Sequence, residues 1–457
     1  MNIAKHRTAM LGTIVSLATT LAFCQLSTQG QTFSLNGIGQ YSFIVSIFFI
    51  CFVIISKSPI SQIKFSTEHF LICGLFFAIS LSILDTDHTL TSSKRLAVMA
   101  SATLIVFITA NFAEKPQSLF IGFSIGIITV TTISVLYSLI AALSDFNLIN
   151  QGPYEIVKFE IFGIELQQTI AHREYKIDGS AYNIQRYAGI FPNPNGLGLM
   201  SGISFTLAYL LFPLKKAKYI IQAICLIGLV ISLSRMGFLL CATSFIYYNA
   251  HNTLIRRVIC FAMIAGLLSF LFVMASSFDP ASELRNQNNY FSNIEVFQLR
   301  EREYLIQRAW LGFLENWPLG VGFGVGAEYL FPDNAENIAI HSALLNAALE
   351  TGILGATFLI ATWLFPIFAT KVDPSRDDGS DHARHVIASL LFGLFFAEAF
   401  DLSVMRFHYI HLIFFFLLGI WSALGRDSKD TAIQDAQYSD TPNTVATQLE
   451  SSERPDR

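Results

Sequence analysis

The chain has 457 residues, of which 53% are hydrophobic and only 14% are charged. Its length alone corresponds to about two or three soluble domains. The composition and a mean hydropathy of +0.51 exclude such domains and indicate a polytopic membrane protein. The formal net charge of −4 and the scattered basic residues give no reason to expect a nucleic-acid partner.

The first predicted element is a retained membrane span. Lys5, His6 and Arg7 precede the apolar run 9–26, as basic residues do in a secretory signal. The bulky Phe23 stands where a lipoprotein signal needs a small residue, and the run lacks a small-x-small cleavage site. We therefore expect this segment to remain attached as the first span.

Further apolar runs reach the length needed to cross about 30 Å of hydrocarbon at about 1.5 Å per residue. They lie at 39–56, 69–84, 96–113, 119–143, 195–212, 256–275, 355–370, 385–400 and 408–424. The predicted fold is an all-α, polytopic helical membrane protein with about 12 transmembrane helices and two long extracytoplasmic loops.

Residues 219–249 form a nearly apolar stretch that crosses the membrane either once, as a long tilted helix, or twice, as two short helices hinged at Arg235. With the hinge, 17 of the 29 Lys and Arg residues lie on the side of the N-terminus and 12 lie opposite. Without the hinge the counts are 13 and 15, and Arg235 lies inside the bilayer. The positive-inside rule and the cost of a charge within lipid favour the hinge.

This orientation predicts that both termini are cytoplasmic. The expected organisation is five N-terminal spans in 1–143, a first outer loop in 144–194, spans six to nine in 195–275, a large outer loop with amphipathic helices in 276–345, spans ten to twelve in 346–424, and a disordered cytoplasmic tail in 425–457. The 12 outer cations are nine Arg and three Lys. Planar guanidinium groups suit phosphate oxygens, so this bias indicates a phosphate-bearing ligand at the outer face.

Four stretches place chemically capable residues at this outer boundary. They are 184–200 with Arg186, 232–239 with Arg235, 299–326 with Arg300, Arg302 and Arg308 before the run GVGFGVG, and the segment that His341 opens. Alternate glycines permit a close backbone approach to a ligand, including a phosphate nest. Residues 192–195, with sequence PNPN, predict a helix start with an Asn N-cap.

Each stretch also has a purely structural interpretation. Arg186 and Arg235 would be interface anchors that extend toward lipid headgroups. The charges at 300–303 would be the wet face of an amphipathic helix. His341 would be a hydrogen-bonded side chain at the interface.

In order and spacing, these stretches resemble the O-antigen ligase and Wzy-type polymerase superfamily of bacterial envelope proteins. The resemblance is carried by RYAGIFPNPN from 186, by SLSR ending at 235, by an Arg-bearing helix leading into NWPLGVGFG, and by HSALLNAALETGILG from 341. These motifs cover about residues 184–360, and the first five spans carry no comparable signature.

The resemblance implies an inverting glycosyltransferase of the bacterial inner membrane, with its active site facing the periplasm. The donor would be an undecaprenyl diphosphate-linked oligosaccharide. The acceptor would be lipid A-core in a ligase or the growing polymer in a polymerase, in O-antigen or exopolysaccharide biosynthesis. The polymerase is favoured, because nothing in the outer loops looks dedicated to lipid A-core.

The residue types fit that chemistry. His341 and Arg302 are the predicted catalytic residues, with His341 as the base that accepts the hydroxyl proton. Arg186, Arg235, Arg300 and Arg308 are the predicted diphosphate-binding residues, which stabilise the leaving group. Glu350, nine residues after His341, falls on the opposite face of a straight helix, so we expect a capping or structural role for it.

Neither a cofactor nor a metal is expected from this resemblance. The alternative is a divalent cation bound by Asp85, Asp87 and His88, or by a second group formed by Glu398, Asp401, His408 and His411. The competing functions are a transporter or flippase, and an assembly factor. Transport is disfavoured because the charges concentrate in the outer third of the spans and the sequence shows no duplicated halves.

Overall fold

The structure is a computed structural model, which describes most residues of the chain. The described residues are 8–15, 26–28, 31–32, 65–84, 86, 89–113, 115–143, 148–151, 154–161, 164–177, 180–191, 193–211, 215–250, 252–276, 297–332, 340, 342–370, 379–400 and 408–439. The predicted span at 39–56 lies outside them.

Helices dominate the described residues. In chain order they are α1 Thr67–Ile83, α2 Thr89–Phe112, α3 Pro116–Leu143, α4 Pro194–Leu211, α5 Lys215–Ser232, α6 Arg235–Asn249, α7 Thr253–Ser276, α8 Phe297–Glu315, α9 Gly326–Leu330, α10 Ala343–Ala369, α11 Gly379–Ala399 and α12 His408–Ser439. Residues 8–15, within the predicted first span, are also helical.

Four helices in the described part of the chain are long and apolar enough to cross a membrane. They are Leu90–Phe112, Pro116–Leu143, Thr253–Phe270 and Ala343–Ala369; Thr67–Ile83 and Ile410–Arg426 are shorter apolar helices. The chain is therefore a multi-pass helical membrane protein. The predicted number of spans is not confirmed by this set.

The last helix differs from the expectation of a disordered tail from 425. α12 continues to Ser439. The extension contains Ala432, Gln434, Ala436 and Gln437, which favour the helical conformation. Residues 440–457 lie outside the described residues.

The hinge predicted at Arg235 is confirmed. α5 ends at Ser232 and α6 begins at Arg235, and Leu233 between them has a positive φ of 47°. Ser234 caps α6, because its hydroxyl oxygen accepts a hydrogen bond from the backbone N–H of Gly237 at 3.4 Å. The interruption between α5 and α6 thus places Arg235 at the first position of α6 and not in the middle of a helix.

The chain reverses direction at this hinge, and both flanking helices pack on α4. Tyr209, near the end of α4, contacts Lys218 at the start of α5 and Phe245 near the end of α6. Gly198, at the start of α4, lies against Ser234. We call the end of the helix bundle that contains residues 233–234 the hinge end.

The helical prediction is confirmed for most of the described residues, which also contain an antiparallel sheet that was not predicted. Its strands are β1 Leu26–Thr28, β2 Gln31–Thr32, β3 Leu148–Gln151, β4 Tyr154–Ile161, β5 Ile164–Ile177 and β6 Ser180–Tyr187, in the spatial order β2-β1-β5-β4-β3 with β6 also paired to β5. In β4, apolar Val157 and Phe159 alternate with Lys158 and Glu160, which is the period of a half-buried strand. The sheet leads directly to α4.

Buried polar contacts join several helices at the end opposite the hinge. Arg256, at the start of α7, is 1% exposed and donates hydrogen bonds to the carbonyl of Thr370, just after α10, and to Nδ1 of His385 in α11 at 3.2 Å. Nε2 of His385 donates to the carbonyl of Tyr248, near the end of α6, at 3.0 Å. Because α10 ends here, its first residues lie toward the hinge end.

Replacing Arg256 by methionine should lower the free energy of unfolding by about 2–4 kcal/mol, because it removes two charge-assisted hydrogen bonds from a buried site. The adjacent Arg257 is exposed and donates a single hydrogen bond, to the carbonyl of Phe368 at 3.3 Å. Its replacement by methionine should cost less than about 1 kcal/mol. Thermal unfolding of both variants in detergent measures the difference, and equal losses would contradict this account.

Candidate functional site

Arg186 joins the first two of the predicted stretches. It is half-buried near the end of β6, where its Nε donates a hydrogen bond to the carbonyl of Ser232 at 2.9 Å. Its second terminal nitrogen donates to Oδ1 of Asn195 at 2.7 Å. The guanidinium therefore holds the start of α4 against the end of α5, next to the hinge.

Local sequence explains why α4 starts here. Asn193 accepts a hydrogen bond from the backbone N–H of Gly196 at 2.9 Å through Oδ1, and Pro194 is the first helical residue, which confirms the predicted Asn cap. A Cβ on Gly202 would lie 2.8 Å from the carbonyl oxygen of Gly237. Only glycine permits α4 and α6 to cross this closely.

Arg235 lies at the same place. It is exposed, it begins α6, and it follows Ser232, the partner of Arg186, by three residues. Tyr187, which follows Arg186 in the sequence, donates its phenolic proton to Oε1 of Gln185 at 2.8 Å. Burial raises the pKa of Tyr187. The structure thus brings two of the predicted arginines to one corner of the hinge end.

The glycine run forms a loop with three positive backbone angles. Gly320, Gly322 and Gly324 have φ of 78°, 112° and 83°. We call residues 317–325 the glycine loop. A residue with a side chain rarely adopts these angles, so the alternate glycines are required by the backbone path.

The glycine loop is hydrogen-bonded to an interruption in α10. Gly352 has φ 64° and ψ −166°, which breaks the helix, and we call residues 349–353 the helix break. The N–H of Val321 donates to the carbonyl of Leu349 at 2.9 Å, and the N–H of Gly322 donates to the carbonyl of Glu350 at 3.1 Å. The N–H of Ile353 donates to the carbonyl of Trp317 at 2.8 Å. The loop therefore supplies hydrogen bonds that the broken helix cannot make.

The Glu350 carboxylate binds a backbone N–H group directly after the glycine loop. It is 5% exposed, and its Oε1 accepts a hydrogen bond from the N–H of Gly326, the first residue of α9, at 3.3 Å. The expected structural role of Glu350 is confirmed, although the helix is broken and not straight. The anion bound at the N–H of Gly326 is thus the protein's own carboxylate.

Thr86 and Arg95 lie against the glycine loop. A Cβ on Gly322 would lie 2.6 Å from Cβ of Thr86, and one on Gly324 would lie 2.8 Å from Nε of Arg95. The sequence motifs did not single out Thr86 or Arg95. The sequence feature that pointed to Arg95 was that it is one of the nine Arg among the 12 predicted outer cations.

The third predicted stretch forms α8, an amphipathic helix as expected. Arg300 and Arg302 lie in its first turns, but their side chains lie outside the described part of the structure. Arg308 is half-buried, and its guanidinium lies 5.8 Å from the centre of the Tyr304 ring, one turn earlier. Arg302 precedes Ala309 by seven positions, which places both on one helix face.

A small apolar cluster joins α8 to the other elements. It contains Ala309, Val321, Val325, Ile340 and Leu349, which come from α8, the glycine loop, the residue before His341 and the helix break. The third and fourth predicted stretches therefore pack together. Each of these residues is less than 10% exposed.

His341 itself lies outside the described residues, and both of its neighbours are buried. Ile340 is 1% exposed. Ser342 is fully buried and caps α10, since its hydroxyl oxygen accepts a hydrogen bond from the N–H of Leu345 at 3.4 Å. The chain is thus fixed on each side of His341, immediately before the first turn of α10.

The two pairs of stretches share the hinge end of the bundle. One pair contains Arg186 and Arg235, and the other contains α8, the glycine loop and the residues around His341. A single cavity containing all four stretches remains a prediction. Asp85, Asp87 and His88 lie outside the described residues, so the question of a metal is untested there.

Comparison with known proteins identifies a family that matches part of the chain. Residues 220–360 match the family model described as O-Antigen ligase. The matched range contains Arg235, α8, the glycine loop, His341 and the helix break. Among curated proteins, none matches the chain. The resemblance seen in the motifs is confirmed over residues 220–360, which are similar to the O-antigen ligase family.

Proposed function

We propose that this protein is a membrane glycosyltransferase that transfers a glycan from an undecaprenyl diphosphate carrier to a sugar hydroxyl during synthesis of a surface polysaccharide. The observation that carries the proposal is the family match over residues 220–360. The contacts of Arg186 with Asn195 and Ser232 support it, because they attach a further guanidinium to the matched region.

In the proposed reaction, the acceptor hydroxyl oxygen attacks the anomeric carbon of the donor, and the bond from that carbon to the phosphate oxygen breaks. The configuration at the anomeric carbon inverts, and undecaprenyl diphosphate leaves. His341 accepts the hydroxyl proton as the attack proceeds. No cofactor is needed in this scheme.

The departing diphosphate gains negative charge, which guanidinium groups can stabilise. We propose that Arg302 contacts the reacting phosphate, because its position on α8 shares a face with Ala309, which packs against the glycine loop. Arg186, Arg235, Arg300 and Arg308 would bind the remaining phosphate oxygens.

We propose that the hinge end faces the periplasm and that both termini are cytoplasmic, in the inner membrane. The excess of Lys and Arg on the side of the N-terminus supports this orientation. Arg256, Thr370 and His385, which the charge pattern assigns to one side, lie together in the structure.

Between the two acceptors, we propose the growing polymer and hence a polymerase. The support is the absence, in the sequence of the outer loops, of a segment that looks dedicated to lipid A-core. A ligase would use the same donor chemistry with lipid A-core as the acceptor.

Deletion of the protein from its cell, followed by analysis of surface glycans, tests this function. A polymerase mutant should carry single repeat units or lose a secreted polysaccharide. Carrier-linked long chains that fail to reach lipid A would indicate a ligase instead. Purified protein in liposomes should form longer glycan from a carrier-linked donor, and substrate uptake without any glycan product would overturn the proposal in favour of transport.

A further inference from the structure

Arg95 lies across the glycine loop at a point where only glycine fits. It belongs to the second turn of α2. A Cβ on Gly324 would overlap its Cδ and would lie 2.9 Å from its Cγ. The stem of the side chain therefore rests on the loop backbone, which restricts its rotamers. Gly324 thus leaves room for Arg95 against the loop backbone, as Gly322 leaves room for Thr86.

The buried carboxylate of Glu350 lies within electrostatic reach of Arg95. Its Oε1 accepts a hydrogen bond from the N–H of Gly326, and no ion pair joins it to Arg95. Arg95 is exposed, and no residue in the described ranges forms a hydrogen bond or an ion pair with its guanidinium. The carboxylate attracts the cation, while no acceptor among the described residues occupies the five N–H donors of the guanidinium.

The location of this guanidinium suits a phosphate ligand. The glycine loop packs on the first half of α10, which lies toward the hinge end, the end that also holds Arg186 and Arg235. A planar guanidinium whose stem is already fixed loses little freedom when it binds two oxygens of a phosphate.

We propose that Arg95 binds a phosphate group of the lipid-linked donor, and that Gly324 and Glu350 act as positioning residues for its guanidinium. This inference rests on the proposed function and adds to the site a residue from α2, far outside the family-matched range.

Binding of undecaprenyl diphosphate to the full-length protein in detergent micelles tests this role. R95A should weaken binding about tenfold to a hundredfold, the loss expected for one or two charge-assisted hydrogen bonds. R95K should fall between R95A and wild type, because an ammonium keeps the charge and loses the planar fork. Lys94 is the matched control: it is the exposed neighbour in the same turn, and K94A should bind as wild type does. Equal binding by R95A and K94A would overturn the proposal.

A second comparison separates phosphate binding from mere neutralisation of Glu350. If Arg95 serves only to offset the buried carboxylate, removing that charge should restore binding. We expect R95A/E350Q to bind more weakly than E350Q, but by a smaller factor than the one that separates R95A from wild type, because E350Q already loosens the position of Arg95. Restored binding in the double variant would overturn the role of Arg95 as a ligand-binding residue.

The two proposals can fail separately. Glycan formation by the wild-type protein, measured in liposomes, tests the proposed function without reference to Arg95. Normal product formation combined with normal R95A binding rejects Arg95 alone. A wild-type protein that forms no product from a carrier-linked glycan rejects the proposed function.

Discussion

Replacing His341 by alanine should lower the rate of glycan transfer by about 10²–10⁴-fold, the usual contribution of a positioned general base. The attacking hydroxyl loses its proton as the new bond forms, and alanine offers no group to accept that proton. The position precedes the N-cap of α10, so the helix should still form. The measurement is the rate of product formation by purified protein in liposomes.

Ser342→Ala is the neighbouring control. It removes the cap and should lower the free energy of unfolding by about 1 kcal/mol, but it leaves the imidazole in place. Transfer should therefore survive in this variant. If His341→Ala and Ser342→Ala retained similar rates, His341 would be an interfacial structural residue, and the proposed base would have to be sought elsewhere.

Replacing Gly352 by valine should destabilise the protein by about 3 kcal/mol or more. Its backbone angles fall in a region that is open almost only to glycine. A Cβ there would also overlap the carbonyl of Pro318 and lie 2.7 Å from the backbone nitrogen of Leu319. The variant can relieve this overlap only by separating the glycine loop from the helix break. Thermal unfolding in detergent and the amount of folded protein in membranes measure the effect.

Gly266, within α7, is the matched control for the same substitution. A Cβ at this position would meet nothing within 4 Å, and the backbone there is helical. Gly266→Val should therefore change the free energy of unfolding by less than about 1 kcal/mol. If both variants unfolded at the same temperature, the positive φ at Gly352 would not be needed for stability.

The hinge at Arg235 was predictable because its signals are local and one-dimensional. A single Arg in a long apolar stretch is costly in lipid, and the distribution of Lys and Arg along the chain reports the number of crossings. The Asn cap before α4 was predictable for a similar reason, since PNPN combines a capping side chain with a proline at the first helical position.

The helix break at Gly352 was not predictable in this way. The segment from Ala343 to Ala369 reads as one continuous apolar helix, and a lone glycine is common in membrane spans. What stabilises the break is the glycine loop, about thirty residues earlier in the chain, whose role appears only when the two are packed together. Propensity rules see each segment alone and miss such a pairing.

The same limit applies to the candidate site, whose contacts between distant residues could not be predicted from separate segments. Residue types and order located the arginine-bearing stretches, but the contact between Arg95 and Gly324 joins positions more than two hundred residues apart. The strands of residues 148–187 were missed because that segment was treated only as an outer loop, although β4 carries a clear period of two.

The pairing of the glycine loop with the helix break also constrains the order of biosynthetic events. Without residues 317–325, the carbonyls of Leu349 and Glu350 would lack a hydrogen-bond donor in the membrane, at a cost of several kcal/mol for each group. Translation delivers the loop before the helix that requires it. The glycine loop is therefore synthesised first, and its hydrogen-bonding groups are present when the interrupted helix is inserted into lipid.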